Sequence, residues 1–145
     1  MSDLAALYKH WCIADSVKQF AGATVPGSGE SALPPDELAL VQAHSSFMRL
    51  SVWYALLQVV VEGYNELGIS DPAMDSYLAD EEYTQALRRF RNAMFHYQEN
   101  PFSAKLLGFL ELDNGEWARC LNAPFKRYFE RNLPINKILE HLENA

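Results

Sequence analysis

Leu4, Leu7, Trp11, Ala14, Val17 and Phe20 recur every three or four positions near the start of the chain. That spacing gathers side chains on one face of an α-helix, so a helix is expected from Asp3 to about Phe20. Gly22, Pro26, Gly27, Gly29, Pro34 and Pro35 then interrupt any regular pattern, and residues 22–35 read as a flexible loop. Pro35 suits the first turn of a second helix, as do Asp36 and Glu37, whose charges favour the positive end of the helix dipole. This helix is expected to run to about Leu67, with Gly68 as its stop, and it is apolar on nearly all sides from Phe47 to Tyr64. Ser70-Asp71-Pro72 opens a short helix over Ala73 to Ala79. Asp80 then serves as N-cap of a further helix reaching about Gln98, closed by Asn100-Pro101. Ser103 to Leu112 forms another, stopped by Asp113-Asn114-Gly115. Glu116 to about Asn132 forms the next, with Pro124 as a point of bending, and Pro134 starts a last one to Leu142. No strand-like alternation persists and no repeat is visible. The pattern predicts an all-α bundle of five to six helices around a long central apolar helix.

The 145 residues suit one domain over 1–145, and 49% hydrophobic with 12% aromatic residues is enough for a core without a metal or disulfide staple. Cys12 and Cys120 are isolated and read as small core residues, which suits a reducing cytoplasm. The first residues lack a basic-then-apolar leader, and the most apolar stretch, Leu50 to Val61, is too short for a membrane span, which needs about twenty residues. A soluble cytoplasmic chain with no membrane partner is expected. The formal charge of −7 argues against a broad nucleic-acid surface but leaves room for a local basic site.

Such a site stands out on the helix that follows Asp80. At about 100° per residue, Tyr83, Ala86, Leu87, Phe90, Ala93, Met94 and Tyr97 share one arc, the stripe expected to face the core. Arg91, Phe95, Arg88, Asn92, His96 and Arg89 fill the opposite arc. Asn92 and His96, four apart, stack on one face with Arg88 a turn earlier, while Arg91 stands about 140° from His96. Charge periodicity alone reads this arc as a solvated face with a surface histidine. Phe95 spoils that reading. A large ring amid arginines marks an interface with a cleft beside it.

The run Leu87-Arg88-Arg89-Phe90-Arg91-Asn92-Ala93-Met94-Phe95-His96 resembles the R-x(4–6)-H signature of HEPN domains, in the form with Asn after the Arg. Met48-Arg49-Leu50 and Val61-Glu62-Gly63, placed before it, add a likeness to an uncharacterised bacterial group of HEPN-like proteins. The resemblance implies an up-and-down helical core and a metal-independent endoribonuclease working as a homodimer, with two motifs meeting across the two-fold axis. In that scheme His96 takes the proton of the RNA 2′-OH, a role that suits imidazole. Arg91 stabilises the charge that builds on the pentacoordinate phosphate, and Asn92 orients His96 or holds a phosphate oxygen. Arg88 and Arg89 of both chains join Arg91 in gripping RNA, and Phe95 lies in the dimer interface. The products are a 2′,3′-cyclic phosphate and a 5′-hydroxyl. A toxin or defence effector of this kind takes an antitoxin or a nucleotidyltransferase as partner. HEPN toxins modified on tyrosine by such a nucleotidyltransferase carry the tyrosine one place further on than Tyr97. Many HEPN domains are instead non-catalytic dimerisation or nucleotide- and RNA-binding modules, and that alternative stands.

Glu62, beside Gly63, is placed to reach Arg91 as an orienting acid, or else is a helix-end surface charge. His10, His44 and His141 lack metal-ligand spacing, and no zinc motif, phosphate loop or nucleophile elbow occurs, so neither metal nor other cofactor is expected. Trp11, Trp53 and Trp117 read as core or interface anchors. Lys126, Arg127 and Arg131, interleaved with Tyr128 and Phe129, read as a solvated face or as an RNA contact.

Overall fold

The computed structural model describes residues 3–23, 34–100 and 103–136. Among them it forms six α-helices: α1 Asp3–Gln19, α2 Pro35–Glu66, α3 Pro72–Leu78, α4 Glu81–Phe95, α5 Ala104–Asp113 and α6 Glu116–Asn132. The all-α expectation holds, with boundaries close to those expected in five of the six. Most of the expected 22–35 loop and of the helix after Pro134 lies outside the described residues.

Each helix begins where local chemistry lets it. Pro35 occupies the first turn of α2, where its missing N–H costs nothing. The Asp71 side chain caps α3 by accepting from the Ala73 and Met74 amides at 3.0 and 3.3 Å. The Asp80 carboxylate accepts from the Tyr83 amide and caps α4. Asn114 and Gly115 both adopt left-handed backbone between α5 and α6, and the Asp113 carboxylate accepts from the Gly115 and Trp117 amides. α6 runs through Pro124 rather than stopping there.

α1 and α4 both pack on α2, α5 packs on α4, and α3 packs on α6. α1 presents Leu7, Trp11 and Ala14, all buried, to this core. A Cβ at Gly63 would lie 2.7 Å from Leu7 Cδ1, so the bare backbone of α2 is what lets α1 seat there. The buried residues of α2 all fall from Ser51 onward, and its first four turns carry none. Tyr54 stands edge-on to both Phe90 and Phe109, with centroids at 5.9 and 5.0 Å, which joins α2, α4 and α5. All three tryptophans are buried, as expected. The cysteines divide: Cys12 is half-buried and packs against the core, whereas Cys120 is exposed and not a core residue, because it falls on the outer side of the amphipathic α6.

Polar ties cross between helices at several points. Trp11 Nε1 donates to Asn122 Oδ1 at 3.0 Å, and Asn122 Nδ2 donates to Asp15 Oδ1 at 2.9 Å, which ties α1 to α6. Arg131 Nη2 donates to the buried Asp71 at 2.7 Å, binding α6 to the cap of α3. Arg131 of the Lys126, Arg127 and Arg131 group is thus engaged in an ion pair while its side chain stays mostly exposed. A further tie runs through the Tyr64 hydroxyl, which accepts from the Asp71 amide at 2.8 Å and donates to Asp75 Oδ1. Burial, reinforced by Asp75, pushes the Tyr64 phenol far above its ordinary range. The same hydrogen bond, with one from Ser70, holds the Asp75 carboxyl below its own. A depressed carboxylate contributes stability at neutral pH that is lost as pH falls through its folded-state pKa. Tyr64→Phe is expected to cost about 1–3 kcal/mol in urea unfolding at pH 7 and to bring the Asp75 titration back up. An unchanged urea midpoint would refute the tie.

Among the described residues no helix is long and apolar enough to cross a membrane.

Candidate functional site

α4 buries Ala86, Leu87, Phe90 and Ala93, which fixes the rotation of the helix and turns Arg88, Arg89, Arg91 and Asn92 away from the core. Arg91 lies half-buried against α2. Its Nη2 donates to Glu62 Oε2 at 2.6 Å, and its Nη1 donates to Asn92 Oδ1 at 2.9 Å. The other Glu62 oxygen accepts from Gln58 Nε2 at 3.2 Å. The guanidinium is thus held from two sides, and the acid that holds it is itself held by a buried amide. A charge-assisted hydrogen bond of this kind contributes roughly 1–3 kcal/mol and removes the rotational freedom of a long side chain. Glu62 is therefore partnered with Arg91, not a solvated helix-end charge. Gln58 was missed by sequence reasoning, although its i, i+4 spacing to Glu62 on α2 was a usable signal.

His96 lies elsewhere than expected. α4 ends at Phe95, and His96 is its C-cap in extended backbone at φ −114° and ψ 145°. It does not stack over Asn92 on a helical face, and Tyr97, 92% exposed, is not on the core stripe. α5 folds back on α4 with Phe109 against Phe90, so the chain has to leave the helix axis soon after Phe95. Asn92 accordingly bonds to Arg91 and not to His96.

The exposed His96 imidazole makes no hydrogen bond among the described residues; only its carbonyl is engaged, by Gln98 Nε2 at 3.3 Å. His96 borders two open cavities. One, of about 300 Å³, is mostly apolar, between His44, Phe47 and Met48 of α2 and Met94 and Leu106 beyond. The other, of about 330 Å³, is bordered by Arg89, Asn92, Gln98 and Lys105. Arg91 borders neither. Asn92 is the residue common to both groups, bonded to Arg91 and lining the basic cavity of His96. Arg88 lies on a third cavity, of about 480 Å³, with Glu62. Phe95 is 55% exposed, next to the motif histidine. Among the described residues no three His, Cys, Asp or Glu side chains gather as a metal site would need.

No family model, curated protein or solved structure matches this chain. The case for its function therefore rests on these residues and on how they are arranged.

Proposed function

We propose that this chain is a HEPN-like, metal-independent endoribonuclease that cleaves RNA by 2′-OH attack at a groove shared by two subunits. The observation that carries the reading is the division of labour around Asn92: a cation clamped by Glu62 on one side of it, and on the other an exposed imidazole that makes no hydrogen bond among the described residues. A preorganised guanidinium suits charge that develops in the transition state, because it need not reorient during reaction. An unengaged imidazole suits a base. His96 removes the 2′-OH proton, the 2′-oxygen attacks phosphorus, and the 5′-oxygen leaves. The histidine of the second motif, as imidazolium, returns a proton to that leaving oxygen. The reading takes the six helices as a HEPN-like up-and-down core with α2 as its long central apolar helix, supported by α1 and α4 both packing on α2. A toxin or defence effector is the biological role that suits such an activity. The test is incubation with RNA in EDTA, with analysis of the product ends. Cleavage that leaves 2′,3′-cyclic phosphate and 5′-hydroxyl is expected; cleavage abolished by EDTA counts against the mechanism.

The proposal needs a dimer, since Arg91 borders neither of the cavities that His96 of the same chain lines. Phe95, together with the exposed Leu40, Val41 and Met48 of α2, offers apolar surface for one. Burying a ring such as Phe95 contributes roughly 1.5–3 kcal/mol, and a two-fold axis would bury it twice. Sedimentation equilibrium at micromolar concentration is expected to show a dimer that Phe95→Asp converts to monomer. A dimer indifferent to that change would place the interface elsewhere.

One observation favours a second reading, a non-catalytic dimerisation or nucleotide- and RNA-binding module: Arg91 already has carboxylate and amide partners within its own subunit. RNA binding without cleavage in the same assay would select it.

A further inference from the structure

We propose that the cleft between α2 and α4 is a nucleobase site selective for guanine. The proposal deepens the ribonuclease reading and rests on it for its place beside Arg91. The cleft has a volume of about 480 Å³, room for a nucleotide. Val61 and Leu78 contribute apolar surface suited to the face of a flat ring, while Glu66 and Arg88 contribute opposite charges. Those charges do not neutralise each other. Among the described residues neither Glu66 nor Arg88 enters an ion pair or a side-chain hydrogen bond.

Two further observations point to a missing donor. Glu66 closes α2, at the negative end of the helix dipole, in a last turn with no basic residue. Its neighbour Glu62 is compensated by Arg91, but Glu66 is not. Gln58, only 5% exposed, lines the same cleft, and its Oε1 accepts no hydrogen bond among the described residues. Glu66 and the Gln58 Oε1 are thus acceptors without a donor among the described residues, in a cleft that Asn65, Thr84 and Gln85 also line, and Arg88 is a cation there without an acid.

Guanine meets that demand best among the four bases. Its N1–H and N2 amino group stand side by side and donate together to one carboxylate, which accepts in bidentate fashion. Adenine and cytosine set an acceptor nitrogen beside their amino group, which repels a carboxylate, and uracil flanks its single N–H with carbonyls. Arg88 then takes the phosphate, whatever the base.

The experiment is a two-dimensional NMR titration of the full chain with guanosine, adenosine, cytidine and uridine 3′-monophosphates. Guanosine monophosphate is expected to bind about tenfold or more tightly than the others, shifting amides around Val61, Glu66 and Arg88. Glu66→Gln, which replaces one acceptor oxygen by a donor, is expected to remove that preference, and Arg88→Ala to weaken all four nucleotides alike. Both changes are on exposed helical positions. Equal binding of the four, no binding, or a guanine preference that survives Glu66→Gln overturns the proposal. Mapping cut sites in RNA separates it from the ribonuclease reading. Cleavage without guanine preference removes the base site and keeps the nuclease, whereas guanine binding without cleavage keeps the site and removes the nuclease.

Discussion

His96→Ala is expected to slow RNA cleavage in EDTA by about 10²–10⁴-fold, the contribution a general base makes to proton transfer. The variant should fold normally, because His96 is exposed beyond the last turn of α4 and its imidazole holds nothing else in place. Arg91→Ala is expected to cost about 10²–10³-fold, the scale of removing one donor that stabilises charge in a transition state. It also leaves the Glu62 carboxylate without its cation. Glu62→Gln acts through Arg91 and is expected to lower kcat with little change in KM, with Glu62→Asp recovering part of the loss. The comparison is made under single-turnover conditions with thermal unfolding run in parallel. Full activity in His96→Ala with an intact fold would end the proposed chemistry, and a second base would have to be sought among the residues that share its apolar cavity.

Gly115→Ala is expected to destabilise the fold by roughly 2–5 kcal/mol, a large part of the 5–15 kcal/mol that holds a domain together. Two costs combine. The residue sits at φ +73°, a left-handed conformation that costs a non-glycine residue about 1–2 kcal/mol. A Cβ there would also lie 1.9 Å from the Tyr54 hydroxyl, and overpacking of this kind costs about 1–3 kcal/mol. Tyr54 cannot yield easily, being fully buried with its ring set against Phe90 and Phe109. Gly108, inside α5 with nothing within 4 Å of its Cβ position, is the control. Gly108→Ala should gain about 0.5–1 kcal/mol by favouring helix. Urea unfolding of both variants checks the pair. Similar midpoints for the two would mean that the α5–α6 turn and Tyr54 are not packed as described.

The helices were legible in the sequence where a start or stop is written in local chemistry. Asp71, Asp80, Pro35 and Gly68 each mark an end that the structure places within a residue or two. The end of α4 was not legible, for a physical reason. Tyr97 continues the apolar period of Phe90, Ala93 and Met94, so the pattern carries the helix onward, yet the helix ends because α5 must fold back onto Phe90. Periodicity reports which face is apolar, not whether the partner leaves room for another turn. The site divided in the same way. The pairing of Arg91 with Glu62 was legible only as one of two alternatives, because sequence spacing across two helices does not fix which side chains meet. The separation of Arg91 from the cavities of His96 depends on a backbone break that residue types do not encode. Cys120 was misread because a lone cysteine carries no sign of which face of an amphipathic helix it occupies.

The ties of α6 set an order on how the chain can mature during synthesis. Until α6 leaves the ribosome, the Trp11 indole N–H has no Asn122 to donate to, and Asp71 has no arginine. α1 and α2 can meet early, but the face they share stays open to water and to other chains while more than a hundred residues separate Trp11 from its partner. A nascent chain halted before α6 would therefore expose the aromatic surface that Phe125 and Phe129 later cover. Exposed apolar surface of that kind favours aggregation, and completion of α6 is the step that covers it.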